Sequence, residues 1–250
     1  MTRTVVISGG GTGIGLAAAR AFAADGDRVV LLGRREPVLA RAAEGIPGAA
    51  HHAGDLSRPG DVRRVAAAIG QEYGAVDVLV LGAGGNGALE PPVAHLDALA
   101  AAAHEWTTTF RLNVLTAVLL TEALRDHLAT PGGRVLFLGS IAAYRGSGTA
   151  PGYGAAKAAL HPYAFRLARE LGPRGITVNV VAPGLVEETG FFGGEPFPAE
   201  RLRERIAETA TGRIGRPGDV AQALHWLASP AAGHITAQVI QVNGGAEHGH

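Results

Sequence analysis

Tyr153 and Lys157 stand four residues apart in the stretch YGAAK, and Ser140 lies thirteen residues before the tyrosine. On a helix, residues four apart share one face. A phenol and an ammonium group would then lie side by side. A free tyrosine keeps its proton up to a pH of about 10. A neighbouring ammonium favours the phenolate and lowers that value, which makes the tyrosine usable as an acid or base near neutral pH. Tyr144 and Tyr163 rival Tyr153 by type, yet neither has a lysine four positions on. The same pair also fits an ordinary amphipathic helix face, so the surrounding elements must decide.

Short β-rich runs recur along the 250 residues: TVVIS (4–8), RVVLL (28–32), DVLVL (77–81), RVLFLG (134–139), ITVNVVA (176–182) and AQVIQV (237–242). A weaker run, AAHHAG, covers 49–54. Ala/Leu/Arg segments of helical period, such as LAAARAFAADG and VRRVAAAIGQEYG, separate them. Strands apolar on both faces and alternating with helices predict a parallel sheet covered on both sides. Right-handed crossovers make it doubly wound. Repeats, low-complexity tracts and linkers are missing, so one α/β domain over 1–250 is expected. RVLFLG leads into Ser140, and the connection to Tyr153 is short enough to fold one toward the other.

Composition removes several function classes. Lys plus Arg equals Asp plus Glu, at 22 each, so no global field draws nucleic acid or an anionic membrane. With no cysteine, disulfides, thiolate catalysis and cysteine-ligated metals are excluded. No apolar run reaches membrane-spanning length. The N-terminus passes straight into a strand, so a signal peptide is not expected and a cytoplasmic location is. His51, His52, His95, His104, His127 and His161 lack ligand spacing, and Glu247, His248 and His250 read as a solvated polar tail. No metal site is expected.

The stretch ISGGGTGIG (7–15) directly follows the first strand. Glycines there let the chain turn tightly, approach a ligand closely and pack helix against strand. The N–H groups and positive dipole end of the following helix suit a diphosphate. Two registers fit: Gly13, Gly15 and Ala18 match G-x-G-x-x-A, while Ser8, Gly9, Gly13 and Gly15 match T-G-x3-G-x-G with Ser for Thr. Gly11, Thr12 and Ile14 complete a dinucleotide loop. A site for NAD carries an acid for the ribose 2′-hydroxyl about 20 residues on. Here Gly33 stands at that place, followed by Arg34 and Arg35. A guanidinium there pairs with a 2′-phosphate, so NADP(H) is expected ahead of NAD(H). Glu36 would oppose the phosphate if turned inward. Asp55 and Leu56, ending the third strand, reach the adenine end. A bound cationic nicotinamide would add to the lysine's effect on Tyr153.

Taken together, the chain resembles the short-chain dehydrogenase/reductase family. The resemblance spans essentially the whole length, through SGGGTGIG, LGAGG (81–85), Asn113 in FRLNVLTAV, Ser140, YGAAK, GITVNVVAPG (175–184) and GRIGRPGDVAQALHWLAS (212–229). It implies a Rossmann fold and an oxidoreductase that moves a hydride between NADP(H) and a carbonyl or alcohol. By the resemblance Tyr153 donates the proton, and Lys157 holds the nicotinamide ribose and lowers the tyrosine's pKa. Ser140 hydrogen-bonds the carbonyl oxygen, and Asn113 positions a water that links Lys157 to solvent. Backbone at Val186 and the Thr189 hydroxyl hold the carboxamide, with Ala83, Gly84, Pro183 and Gly184 in the cofactor wall. A homotetramer or homodimer is implied.

Four departures stand out. Ser8 replaces Thr. The usual N-N-A-G reads Leu81-Gly82-Ala83-Gly84, which removes side-chain hydrogen bonds beside the cofactor. The segment between Pro183-Gly184 and Thr189 is one residue longer than the family pattern. Pro162 lies inside the Tyr153 helix, where its missing N–H and its ring predict a kink. The segment 187–213 reads as a variable substrate lid, with Phe191, Phe192 and Phe197 for an apolar ligand and glycines at 190, 193 and 194. Arg201, Arg203 and Arg205 either meet an acidic carrier or form a solvated face between Leu202 and Ile206. Similar sequences include 3-oxoacyl thioester and polyketide ketone reductases, so the small-molecule substrate is free or carrier-bound. An NAD-dependent secondary-alcohol dehydrogenase is the alternative. The Ser140–Tyr153–Lys157 set argues against a non-catalytic nucleotide sensor.

Overall fold

The apolar runs become strands because a segment covered on both faces loses water along its whole length. The computed structural model describes residues 2–85, 95–146, 150–187, 189 and 198–248. β1 (Thr4–Ser8) is buried at every residue and β2 (Arg28–Gly33) along its centre, while β3 (Ala50–Ala53) is half-buried. β4 (Val78–Leu81), β5 (Arg134–Leu138) and β6 (Thr177–Pro183) are buried throughout, and β7 (Val239–Val242) is half-buried. Among the described residues these form one seven-stranded sheet in the order β3-β2-β1-β4-β5-β6-β7, with every pairing parallel. The two half-buried strands are its edges. Chain order reverses between β1 and β4, and a crevice opens beyond the carboxyl ends there.

The helices are α1 (Gly13–Ala24), α2 (Glu36–Glu44), α3 (Pro59–Tyr73), α4 (Ala98–Phe110) and α5 (Thr116–Leu124). They continue with α6 (Ala142–Arg145), α7 (Pro151–Leu171), α8 (Ala199–Ala207) and α9 (Pro217–Leu227). α2, α3, α7 and α9 each carry a proline in the first two positions, where its fixed φ suits a helix and its missing N–H costs nothing. Val65, Ile69, Leu120, Leu124, Leu160 and Leu167 bring α3, α5 and α7 onto one sheet face. Ala18, Phe22, Leu39, Val220 and Leu224 bring α1, α2 and α9 onto the other. The result is the doubly wound α/β architecture expected from the alternation.

Some element bounds differ from the pattern. The last strand begins at Val239: Ala237 has φ 56°, which takes it out of the extended conformation, although its amide still donates to the Val178 carbonyl of β6 at 2.8 Å. Asp77 falls outside β4; its carboxylate accepts from the Thr4 amide at 2.7 Å and ties the sheet's amino edge. α7 runs as one helix from Pro151 to Leu171 across Pro162, so the proline does not end it. Pro162 is exposed, and its ring meets solvent rather than packed core.

Candidate active site

The β1–α1 loop is shaped by close backbone approaches. Gly9 and Gly13 have φ of 71° and 52°, the left-handed region that favours glycine. A Cβ on Gly15 would lie 2.2 Å from the Gly9 carbonyl oxygen, so only glycine lets α1 start there. Ser8 keeps the hydroxyl role of threonine: its Oγ accepts from the Ala83 amide at 3.1 Å and donates to the Val80 carbonyl at 3.4 Å. The first turn of α1 carries no acidic residue. A backbone cradle at a positive helix end fits a diphosphate.

That cradle opens into a cleft of about 1150 Å³. Of the residues expected to bind cofactor, Gly9, Gly11, Thr12, Gly13, Ile14 and Gly15 line its first wall. Arg34, Arg35, Asp55 and Leu56 line the β2–β3 end, while Ala83, Gly84, Pro183, Gly184, Val186 and Thr189 line the rest. Ser8 and Asn113 stand behind the wall, buried to 1% exposure each. Burial alone would push the Asp55 carboxyl up; hydrogen bonds from Ser57 and the charges of Arg111 and Arg34 outweigh it and hold the group below its ordinary value. Glu36 does not turn inward. It pairs with His51 Nε2 at 2.6 Å and is absent from the cleft wall.

Ser140, Tyr153 and Lys157 meet on the cleft floor. The Tyr153 hydroxyl is hydrogen-bonded with Ser140, whose Oγ also accepts from the Ala142 amide at 3.1 Å. Lys157 Nζ donates to the Leu138 carbonyl at 2.8 Å and lies 5.7 Å from the Tyr153 ring centre. Burial dominates both groups in the cofactor-free chain. It pushes Tyr153 up to about 12 against the Ser140 bond, and pulls Lys157 down to about 8. The lowering expected for Tyr153 from its lysine neighbour does not arise here: desolvation disfavours phenolate and ammonium alike, and the Ser140 bond is what opposes it.

Asn113 lies in a π-helical turn, Arg111–Leu115, between α4 and α5. Such turns occur at functional sites because they displace one residue from the regular helix face. Asn113 Oδ1 accepts from the Gly85 amide at 3.1 Å, and its Nδ2 donates to the Gly85 and Thr109 carbonyls at 2.7 and 2.9 Å. A Cβ on Gly84 would lie 2.5 Å from Asn113 Oδ1 and 3.4 Å from Lys157 Nζ. The 81–84 loop, without its asparagines, is therefore held by Ser8 and Asn113. The extra residue before Thr189 does not carry it away. Thr189 packs on Gly13, donates to the Val186 carbonyl at 3.4 Å and lines the cleft.

Of the expected lid, Phe191, Phe192, Phe197 and the glycines at 190, 193 and 194 lie outside the described residues. Arg201 and Arg205 face the cleft, whereas Arg203 donates to the Ala199 carbonyl on its own helix. Arg145, Glu208 and Ala246 also line the cleft. Nothing in the sequence marked them, because their contacts span 63 and 102 residues of chain. Among the described residues no group of three or more His, Asp or Glu is placed to hold a metal, and no helix is long and apolar enough to cross a membrane.

A parallel sheet reversing over a glycine-rich helix start, with serine, tyrosine and lysine on the crevice floor, defines a dinucleotide-dependent oxidoreductase. The family profile described as Enoyl-(Acyl carrier protein) reductase matches residues 9–247. Carbonyl reductase family member 4 of Danio rerio is 33% identical, over 99% of this chain and 99% of that protein. The 3-oxoacyl-[acyl-carrier-protein] reductase FabG of Escherichia coli is 31% identical over 97% and 96%. Galactitol 2-dehydrogenase (L-tagatose-forming) of Cereibacter sphaeroides is 34% identical over 96% and 92%. A crystal structure of a short-chain dehydrogenase/reductase (glucose/ribitol dehydrogenase) from Brucella melitensis superposes with TM-score 0.86 at 31% identity, covering 99% of this chain and 97% of that one. The chain belongs to the short-chain dehydrogenase/reductase family, whose members are oxidoreductases that work with nicotinamide cofactors.

Proposed function

We propose that this protein is an NADPH-dependent reductase of a ketone or 3-oxoacyl-type carbonyl. The observation that carries the reading is the set of half-buried Ser140 with buried Tyr153 and Lys157 on the floor of a cleft that begins at the glycine cradle. When bound, the dinucleotide supplies the hydride. Tyr153 gives its proton to the carbonyl oxygen, and Ser140 donates a hydrogen bond to the same oxygen. A tyrosine held protonated, as burial holds this one, suits the acid's role in the reducing direction. Lys157 holds the ribose of the nicotinamide half and stabilises the phenolate left on Tyr153. Asn113, fixed by three hydrogen bonds, positions a water that passes protons between Lys157 and solvent. Val186 and Thr189 hold the carboxamide.

The preference for NADPH rests on Gly33, which leaves the 2′ position without a carboxylate, and on Arg34 and Arg35 in the cleft wall. Glu36, tied to His51, adds no opposing charge there. The substrate reading is supported by relatives named as a carbonyl reductase and as a 3-oxoacyl reductase. The relative named for galactitol favours the second reading, oxidation of a secondary alcohol at the same site. Ketones, 3-oxoacyl thioesters and secondary alcohols, each offered with both cofactors and followed at the nicotinamide absorbance, decide between them. Reduction of a carbonyl with NADPH is expected; turnover of alcohols alone, with NAD, would replace the first reading by the second. The family resemblance supports a dimer or tetramer as the resident assembly.

A further inference from the structure

α8 forms one wall of the substrate half of the cleft, through Arg201, Glu204 and Arg205, with Glu208 just beyond its end. Yet α8 has no buried residue. Only Leu202 and Ile206 are half-buried on it, so hydrophobic burial, which seats the other helices on the sheet, holds this one weakly. Among the described residues, its carboxyl end is met by Arg145, the last residue of α6 and five positions from Ser140. Arg145 Nη1 donates to Glu208 Oε2 at 3.0 Å, and its Nε donates to Glu247 Oε2 at 2.6 Å. Arg205 Nη1 donates to both Glu208 oxygens, at 3.0 and 3.1 Å. Two guanidinium groups and two carboxylates close a neutral network, and the Glu247 side chain is only 16% exposed within it.

The C-terminal tail completes the tie. The Thr211 amide donates to the Gly244 carbonyl at 3.1 Å. Gly244 and Gly245 have φ of 66° and 81°. A Cβ on Gly244 would lie 2.5 Å from Thr211 Oγ1, and one on Gly245 2.7 Å from Ala210 Cβ. Only glycines let the tail lie this close beneath the end of α8. Arg145 itself is rigidly joined to Ser140, since its amide donates to the Ile141 carbonyl at 3.2 Å and the Gly146 amide to Ala142 at 2.9 Å.

We propose that Arg145 is a positioning residue that fixes α8 against the Ser140 segment by gripping Glu208 and the tail residue Glu247 together. It sets the width of the substrate half of the cleft and touches neither the reacting oxygen nor the cofactor cradle. The proposal rests on the reading of Ser140 and Tyr153 as the reacting site, but its first test does not. Hydrogen exchange over residues 199–212 of the cofactor-free protein is compared in wild type, Arg145→Ala and Arg145→Lys. In Arg145→Ala this segment should exchange about two- to fivefold faster, the scale of a lost exposed ion pair, while α1 and α9 keep their rates. Arg145→Lys, which keeps a charge able to reach one carboxylate, should recover part of the protection. If Arg145→Ala fails to fold, Glu247→Gln reads the same tie from the tail.

On a substrate found in the screen, Arg145→Ala should raise KM about tenfold, leave kcat within about threefold, and leave the cofactor Kd unchanged. Unchanged exchange over 199–212 in a folded Arg145→Ala protein overturns the proposal, whatever the substrate proves to be. A fall in kcat with KM unchanged overturns it as well. Absence of any substrate with either cofactor, with the exchange result as expected, would instead strike the functional reading and leave the tie standing.

Discussion

At Lys157 the sequence pattern and the burial of the side chain pull in different directions. Spacing alone made Tyr153 and Lys157 legible as a pair. It could not show that both are sealed from water, which pushes the phenol up to about 12 and the ammonium down to about 8. For a lysine depressed on folding, stability is present above its unfolded value, near 10.5, and is lost as pH falls through about 8. Lys157→Met should therefore gain on wild type below about pH 8. The difference should shrink by roughly 3 kcal/mol between pH 8 and 10.5, read as urea midpoints across that range. A difference independent of pH would mean that Lys157 keeps its ordinary value in the folded chain.

Arg34 makes the other residue-scale prediction. A charge-assisted contact with a 2′-phosphate is worth roughly 1.5–3 kcal/mol, or about ten- to a hundredfold in affinity. Arg34→Ala should weaken NADPH by that factor and leave NADH nearly unchanged, with the gap narrowing as salt rises. Gly33→Asp should reverse the preference. A Cβ on Gly33 meets a Leu39 methyl at 3.5 Å, ordinary contact, so a side chain can start there without a clash. Equal losses for both cofactors in Arg34→Ala would remove the residue from the phosphate site.

Among the elements, the β1–α1 turn was the most legible, since Gly9, Gly13 and Gly15 stand where a strand gives way to a helix start. The physical reason differs at each. Gly9 and Gly13 need a left-handed backbone, while Gly15 needs the absence of a side chain 2.2 Å from the Gly9 carbonyl. Gly15→Ala should cost about 1–3 kcal/mol of stability and at least tenfold in dinucleotide affinity, checked by urea unfolding and by cofactor titration. Wild-type values for both would show that helix and loop part without penalty. Asn113 was legible from its motif alone. The π-helical turn that presents it was not, because RLNVL reads as unbroken helix. Pro162 was legible as an irregularity in the Tyr153 helix; the helix continues across it, with Leu160, Ala164 and Leu167 holding the opposite side on the sheet. α8 was legible as a solvated face between Leu202 and Ile206, but its Arg145 tie was not, since no local pattern links 145, 208 and 247.

Across the whole molecule, a balanced charge of 22 against 22 leaves recognition to local groups, and those gather at one sheet edge. The residues proposed for the dinucleotide and those proposed for the reaction line a single cleft of about 1150 Å³, so on the proposed function hydride and proton would reach one carbonyl. Turnover of wild type and Tyr153→Phe on a carbonyl substrate found with NADPH, followed at the nicotinamide absorbance alongside a cofactor titration, tests this most directly. Removal of the hydroxyl should slow turnover by about 10²–10⁴-fold, the range for loss of a positioned acid, while cofactor affinity and the unfolding midpoint stay at wild-type values. A Tyr153→Phe protein that turns over at the wild-type rate would contradict the assignment of Tyr153 as the acid and, with it, the reading of the cleft floor.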